Sequence, residues 1–297
     1  MATCRVLECV VNVSEGRDHE RLARLAAAAG NCLLDLHADA YHHRSVFTMA
    51  GTTDEVDSGV RSLAATVVAE IDLHDHQGAH PRLGAVDVVP FVALESDPSH
   101  PGPEPVLMDG DIADAVAARE RFVRWAADAL ALPCFRYGPE RSLPDVRRRA
   151  WADLAPDAGP PQPHPGAGAC TVGARPLLVA YNLWLDAACL ASARRIATDI
   201  RGPQLRALGL AVGGGVQVSC NLTAPRQVGP AAAYDAVASR ASVARAEVVG
   251  LVPRAVLEAT PRQRWSELGL SPSATIEARL AGRASMGEGW GKAGAEG

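Results

Sequence analysis

The order in which the apolar period changes along this chain constrains its fold more than any other feature. Residues 6–13 are a β-like apolar run. In residues 18–29, Leu22, Leu25, Ala26 and Ala29 share one helical stripe, and Gly30 follows as a C-cap. Residues 32–36 and 45–50 read as short strands joined by a polar turn. Thr53 or Asp54 then caps a long helix with Val56, Val60, Ala64, Val67 and Ile71 on one face. A fourth strand covers 86–94, where Pro90 signals an edge or a bulge. The order is βαββαβ. It returns in the second half as strands at 177–185, 207–212, 215–222 and 247–252 with helices at 187–200 and 231–244. An antiparallel sheet of four strands with both helices on one face satisfies that order. The fold class is therefore α+β, two tandem ferredoxin-like units with antiparallel-rich sheets, although no residue-level repeat relates the halves. The first unit is assigned to residues 1–172, the second to 173–280, and a disordered tail of small residues to 281–297.

Between the two patterns lie further pieces. Residues 98–105 are a proline-rich surface connection, 112–132 an amphipathic helix, 134–137 a short strand, and the arginines at 147–149 belong to a helical piece. Residues 155–168 turn to proline and glycine. Such sequence is either a linker or an ordered backbone wall beside a ligand, where glycines allow close approach.

With 48% apolar residues among 297, each half can bury its own core. The net charge of −5 argues against nucleic acid as a partner, because phosphate binding needs a basic face. Lys292 is the only lysine, which reads as a codon-composition bias. No apolar run approaches the roughly 20 residues of a membrane span, and the N-terminus lacks the pattern of a signal peptide. Seven cysteines without a CxxC pair fit reduced thiols and a cytoplasmic location.

The chemistry concentrates at residues 74–87, HDHQGAHPRLGAVD, between the long helix and the fourth strand. His74, His76 and His80, with Asp75 or Asp87, have the residue types of a zinc site. Alternatively, one histidine acts as a general base, and His80 is the best placed, since Pro81 fixes the backbone after it and Gly78 and Gly84 permit close approach. Histidines satisfied by structural hydrogen bonds are the third reading. Asn12, Ser14, Asp39 and Arg44 stand at the ends of the first and third strands and would converge if those strands are neighbours; Glu15 beside Ser14 would form a pocket lip. There is no P-loop: the glycines at 213–215 form a turn, with no GKS helix after them.

Several stretches carry a family resemblance. ECVVNVSEGRD (8–18), HHRSVFTMAG (42–51) and GAHPRLGAVDVVPF (78–91) resemble the N-terminal subdomain of the glutamate formimidoyltransferase family. GARPLLVAYNLWL (173–185), SARRIATDIR (192–201), QVSCNL (217–222) and EVVGLVPRAVL (247–257) resemble its C-terminal subdomain. The resemblance implies two ferredoxin-like subdomains and a homodimer. It also implies transfer of a formimino group from formiminoglutamate to N5 of tetrahydrofolate, the co-substrate, with no metal. His80 takes the place of the general base. The folate-contacting loop falls on Gly159, Pro160, Pro161, Gln162, Pro163, His164, Pro165, Gly166, Ala167 and Gly168, which favours the wall over the linker. Arg44, Arg82 and Arg175 become candidates for the carboxylates of donor and folate, since a guanidinium fork suits them.

Three departures bear on the donor. Ala79 replaces a glutamate before the base, His43 an asparagine, and Ala167 a tryptophan in the folate loop. A divergent one-carbon transferase with another donor or acceptor, a metal-dependent amidine or amide hydrolase using His74, His76 and His80, and a non-catalytic binding module are the competing readings. Whether residues 98–109 cover the pocket is left open by the sequence.

Overall fold

The computed structural model describes residues 5–78, 81–97 and 106–285. In the first half, β1 (Arg5–Val13), α1 (His19–Ala29), β2 (Leu33–Asp39), β3 (Arg44–Gly51), α2 (Thr53–Glu70) and β4 (Val86–Ser96) follow the expected order. The N-cap of α2 is Thr52, one residue earlier than expected, and it makes a reciprocal capping box with Glu55. Then come β5 (Leu107–Asp109), α3 (Ile112–Leu130), β6 (Cys134–Tyr137), α4 (Leu143–Arg149) and β7 (Cys170–Ala174). The second half holds β8 (Val179–Leu185), α5 (Leu190–Asp199), β9 (Leu205–Val212), β10 (Gly215–Leu222), α6 (Pro230–Ala238), β11 (Val243–Val249), α7 (Arg254–Glu258) and α8 (Ile276–Ser285).

The fold is α+β with two sheets, mostly antiparallel. The first has seven strands in the order β2-β3-β1-β4-β7-β6, with β5 paired to β4; the second has four, β11-β8-β10-β9. The first sheet is larger than the four strands expected, because β7 pairs parallel with both β4 and β6. A division at 172/173 falls inside β7, which stays in the first sheet through Ala174. Pro90 does not mark an edge, since β4 lies between β1 and β7. The β1–β4 register passes from Cys9↔Phe91 to Asn12↔Val88 without pairing Pro90, so its missing N–H costs no ladder bond there.

Alternation along β1 sends Leu7, Cys9, Val11 and Val13 into a core with Leu22 and Leu25 of α1, Val60 of α2 and Phe122 of α3. Each such fully buried side chain contributes about 1.5–3 kcal/mol. Val6, Ala50 and Val92 face the other way and share a second core with Tyr181, Val218 and Val252 of the second half. The two halves are thus joined through apolar contact. Helix α8 runs to Ser285, past residue 281 where a disordered tail was expected, and Arg283 donates to the Ala50 carbonyl (2.6 Å) and to Glu55 (2.7 Å). Of the stretch considered as a cover, residues 98–105 lie outside the described residues, and Leu107–Asp109 is a strand on β4. No described helix is long and apolar enough to cross a membrane.

Candidate active site

His80 and Ala79 lie outside the described residues; the chain on both sides of them is described. It is held on three flanks.

The first flank is the turn between β2 and β3. Asp39 closes it by accepting from the Tyr41 (2.8 Å) and His42 (2.7 Å) backbone N–H groups. His43 then adopts φ +50, a left-handed conformation uncommon for a non-glycine residue. Its Nδ1 lies 3.0 Å from the Gln77 carbonyl oxygen and its Nε2 3.0 Å from Glu15 Oε1. The Glu15 side chain is 2% exposed. Burial works to raise its pKa, but the backbone N–H groups of Arg17 and Asp18, then Arg21 and the Gly16 N–H, outweigh it and hold the value at about 2. The carboxylate is a fixed negative charge beneath the loop. His76 stacks on His43 with ring centroids 3.9 Å apart. Burial first, then the charges of Arg82 and His43, push the His76 pKa down to about 4, so the ring is neutral near pH 7. Arg82 donates to His76 Nδ1 and to the Gly78 carbonyl (3.0 Å).

The second flank is Asp87 at the start of β4, with no side-chain exposure. Its carboxylate accepts from the Leu83 N–H (2.7 Å), Arg44 Nη1 (2.6 Å) and Arg147 Nη2 (2.7 Å). Arg147, on α4, also donates to the Pro81 carbonyl (2.7 Å). Arg44 Nε donates to Asn12 Oδ1 (3.2 Å), so the convergence of β1 and β3 expected from the sequence occurs.

The third flank is the proline-glycine segment, which is ordered rather than a free linker. Leu73 donates to the Gly166 carbonyl (2.8 Å), Ala85 to Ala167 (2.9 Å) and Ala169 to Leu83 (2.9 Å). His164 and Gly168 exchange backbone bonds, and the Ala167 N–H donates to His164 Nδ1 (3.0 Å). A Cβ on Gly84 would lie 2.0 Å from the Ala169 oxygen, so glycine is required there. Pro161, Gln162, Pro163 and Pro165 are exposed, while Ala167 is buried. Ser14 joins the same contact, donating from Oγ to the Gly84 carbonyl (2.9 Å).

Arg175 does not join this cluster. Its backbone N–H bonds the Phe91 carbonyl (3.1 Å) and its charge acts on Glu8 and Tyr137. Glu8 is four residues along β1 from Asn12, about 13 Å at the rise of a strand. Nor do the described histidines form a ligand set. His74 Nδ1 sits on Asp72 (2.7 Å) and His76 Nδ1 on Arg82. Among the described residues no three His, Cys, Asp or Glu side chains are grouped to hold a metal ion.

On the other side of the β2–β3 turn, a cleft of about 540 Å³ separates the halves. His37, Asp39 and Tyr41 line one wall, and Trp184, Arg245 and Glu247 the other. The Trp184 indole donates to Glu247 (3.1 Å), and the Arg245 guanidinium lies 4.3 Å over its ring. Sequence reasoning missed Trp184, Arg245, Glu247 and Arg147 altogether and took His43 only as a departure. Arg147 carried a weak signal in the arginine-rich helix.

Residues 6–175 match the family model described as formiminotransferase domain, N-terminal subdomain. A glutamate formimidoyltransferase from Streptococcus pyogenes is 36% identical over 217 residues, covering 67% of this chain and 68% of the relative. One from Thermoplasma acidophilum is 29% identical over 318 aligned residues, covering 95% of this chain and 99% of the relative. The formimidoyltransferase-cyclodeaminase of Gallus gallus is 34% identical over 294, covering 86% of this chain and 52% of that longer protein.

Proposed function

The chain belongs to the formiminotransferase family, and on that premise we propose that it transfers a formimino group from formiminoglutamate to N5 of tetrahydrofolate, with His80 as general base. The observation that carries this reading is the backbone pairing of the loop around position 80 with the 159–168 segment, through Leu73–Gly166, Ala85–Ala167 and Leu83–Ala169. This pairing puts the 159–168 segment beside the loop that carries the proposed base, which supports reading that segment as the folate-contacting wall. Gly159 (φ +84) and Gly168 (φ +70) let that wall pack directly on the scaffold, since a Cβ on them would lie 2.7 Å from the Leu132 oxygen and 2.4 Å from the Leu83 oxygen.

In the proposed reaction the acceptor nitrogen bonds to the amidine carbon while the base removes its proton. The bond from that carbon to the glutamate nitrogen then breaks, and the proton leaves with glutamate. A histidine suits both transfers near neutral pH. Arg44, Arg82 and Arg147 surround the one carboxylate of Asp87, an excess of positive charge that favours the carboxylates of donor and folate.

We read each βαββαβ unit as ferredoxin-like, on the strand orders β4-β1-β3-β2 and β11-β8-β10-β9. The first subdomain would end with β7 and the second run from β8 to about residue 280. We also infer a cytoplasmic homodimer that needs no metal. Light scattering reads the dimer, and full activity after chelation is the outcome expected for a reaction without metal.

The direct test incubates the protein with tetrahydrofolate and formiminoglutamate and follows the absorbance of the formimino-folate product. His80→Ala is expected to lower turnover by about 10²–10⁴, with a smaller effect on folate affinity. Equal turnover in the variant removes the base. Product formed only with another formimino or one-carbon donor would assign the chain to the divergent transferase that His43 and Ala167 allow.

A further inference from the structure

Two backbone carbonyls bracket position 80, and each is met by a side chain, His43 or Arg147, that rests on a buried carboxylate. The Gln77 carbonyl faces His43 Nδ1 at 3.0 Å, and His43 Nε2 faces Glu15 Oε1 at 3.0 Å. The Pro81 carbonyl accepts from Arg147 Nη1 at 2.7 Å, and Arg147 Nη2 donates to Asp87 at 2.7 Å. The Glu15 side chain is 2% exposed and that of Asp87 is 0% exposed. Both carboxylates are anchored independently of the loop tip, Glu15 by three backbone N–H groups and Arg21, Asp87 by Arg44.

We propose that Glu15–His43 and Asp87–Arg147 form a two-point clamp that fixes the backbone on either side of position 80, making His43 and Arg147 positioning residues for the proposed base. The inference rests on the reading of residue 80 as that base. Geometry sets what each side chain must do. His43 presents both ring nitrogens to oxygen acceptors, so both bonds are made only when each nitrogen carries a proton. Arg147 spans two acceptors with the two Nη groups of one planar fork, which a lysine ammonium cannot reproduce in the same arrangement. The strained φ of +50 at His43 is the backbone setting that accompanies this reach from the turn to the loop. The two supports come from different elements: the β2–β3 turn for one and α4 for the other.

The experiment compares His43→Ala, His43→Asn, Arg147→Ala and Arg147→Lys in the full chain. It uses steady-state kinetics and mass-spectrometric amide hydrogen exchange of residues 76–83. His43→Ala and Arg147→Ala are each expected to speed exchange in that segment and to lower kcat by about 10–100-fold, the scale of a displacement near 1 Å. KM for tetrahydrofolate should stay within about twofold in His43→Ala; Arg147→Ala also takes one charge from the field around Asp87, so its fall in kcat, beyond any rise in KM, is the readout. His43→Asn, whose amide still donates to the Gln77 carbonyl, should recover much of kcat. Arg147→Lys should not. Unchanged exchange in both alanine variants overturns the clamp. Faster exchange with unchanged kcat overturns the positioning role, as does full rescue by Arg147→Lys, which would reduce Arg147 to its charge. A rise in KM alone would instead make these residues ligand contacts and overturn the inference. His80→Ala decides the base separately: if it retains turnover, the functional reading fails while the exchange data still decide the clamp.

Discussion

Replacing Asp87 by asparagine keeps the shape of the side chain and removes its charge, and the consequence can be worked from its partners. The carboxylate is fully enclosed and paired with both Arg44 and Arg147, whose side chains are only 11% and 23% exposed. In the variant two guanidiniums remain beside a neutral amide, one end of which presents N–H groups to them. Breaking a buried ion pair by removing one partner costs about 3–5 kcal/mol. The amide oxygen still accepts one bond, so the lower value, about 3 kcal/mol, is expected. For a chain of this size that corresponds to a fall in Tm of roughly 5 °C. The acid limb supplies a second signature. Burial raises the Asp87 pKa, but Arg44 and Arg147, then the Leu83 N–H, hold it on balance below the ordinary carboxylate value. A carboxylate depressed in the folded state stabilises fully above its unfolded pKa of about 3.9 and loses that contribution as pH falls through the folded value. The difference between wild type and Asp87→Asn should therefore be constant from about pH 5 to 8 and shrink in stronger acid. Urea unfolding followed by circular dichroism at pH 7 and at low pH measures both. A difference under about 1 kcal/mol at pH 7, or one that widens in acid, would refute the reasoning.

The remaining predictions concern the opposite end of the sheet and the third flank of the loop. Glu8 is 4% exposed, and burial, partly offset by Arg175 but reinforced by Glu277 and Asp109, raises its pKa from 4.5 to about 7. Its contribution is complete below the unfolded value and is lost as pH rises through 7, so Glu8→Gln should flatten stability between about pH 5 and 8. At pH 8 the variant should be more stable by up to about 3 kcal/mol, and a variant that keeps the wild-type slope in urea titrations counts against this. Gly84→Ala would force Cβ to 2.0 Å from the Ala169 oxygen and 2.8 Å from the Ala167 oxygen. Separating the loop from the 159–168 segment should cost about 1–3 kcal/mol and raise KM for tetrahydrofolate, whereas an unchanged KM would detach that segment from folate binding.

Much of the fold was legible because it is written in local periods. The stripe of Leu22, Leu25 and Ala29 gave α1, and its Gly30 terminus sits where the sequence put it, while Asp18, taken as the first helical residue, is the N-cap. Elements too short to carry a period were missed: β5 has three residues, and β7 has five next to a glycine-rich segment, so it read as a boundary. The meeting of Asn12 and Arg44 was foreseeable from βαββ order alone, since β1 and β3 become neighbours. Arg147 was not. Its bonds to Pro81 and Asp87 span 66 and 60 residues, and they depend on where α4 packs, which no local pattern encodes. The contacts of His43 were hidden for a different reason: they depend on a left-handed backbone at that residue, which histidine adopts more readily than most but only in a small minority of cases.

The arginines around the loop illustrate how a motif rich in apparent chemistry is consumed by its own folding. Arg82 spends Nη1 on His76 and Nη2 on the Gly78 carbonyl; Arg147 spends both Nη groups on Pro81 and Asp87; Arg44 spends Nη1 on Asp87 and Nε on Asn12. Gly78 and Gly84 serve the backbone as well, since a Cβ at either would lie within 2.4 Å of a carbonyl oxygen. Each guanidinium keeps further N–H groups of its five, but a ligand carboxylate that took the donors now bound to the loop would loosen the loop while substrate is bound. What the cluster supplies without that exchange is its field, three positive charges about one enclosed carboxylate, which attracts an anionic donor or folate without dictating its orientation. Under the proposed function, orientation would then fall to groups outside the motif, such as the exposed tip of the 159–168 segment.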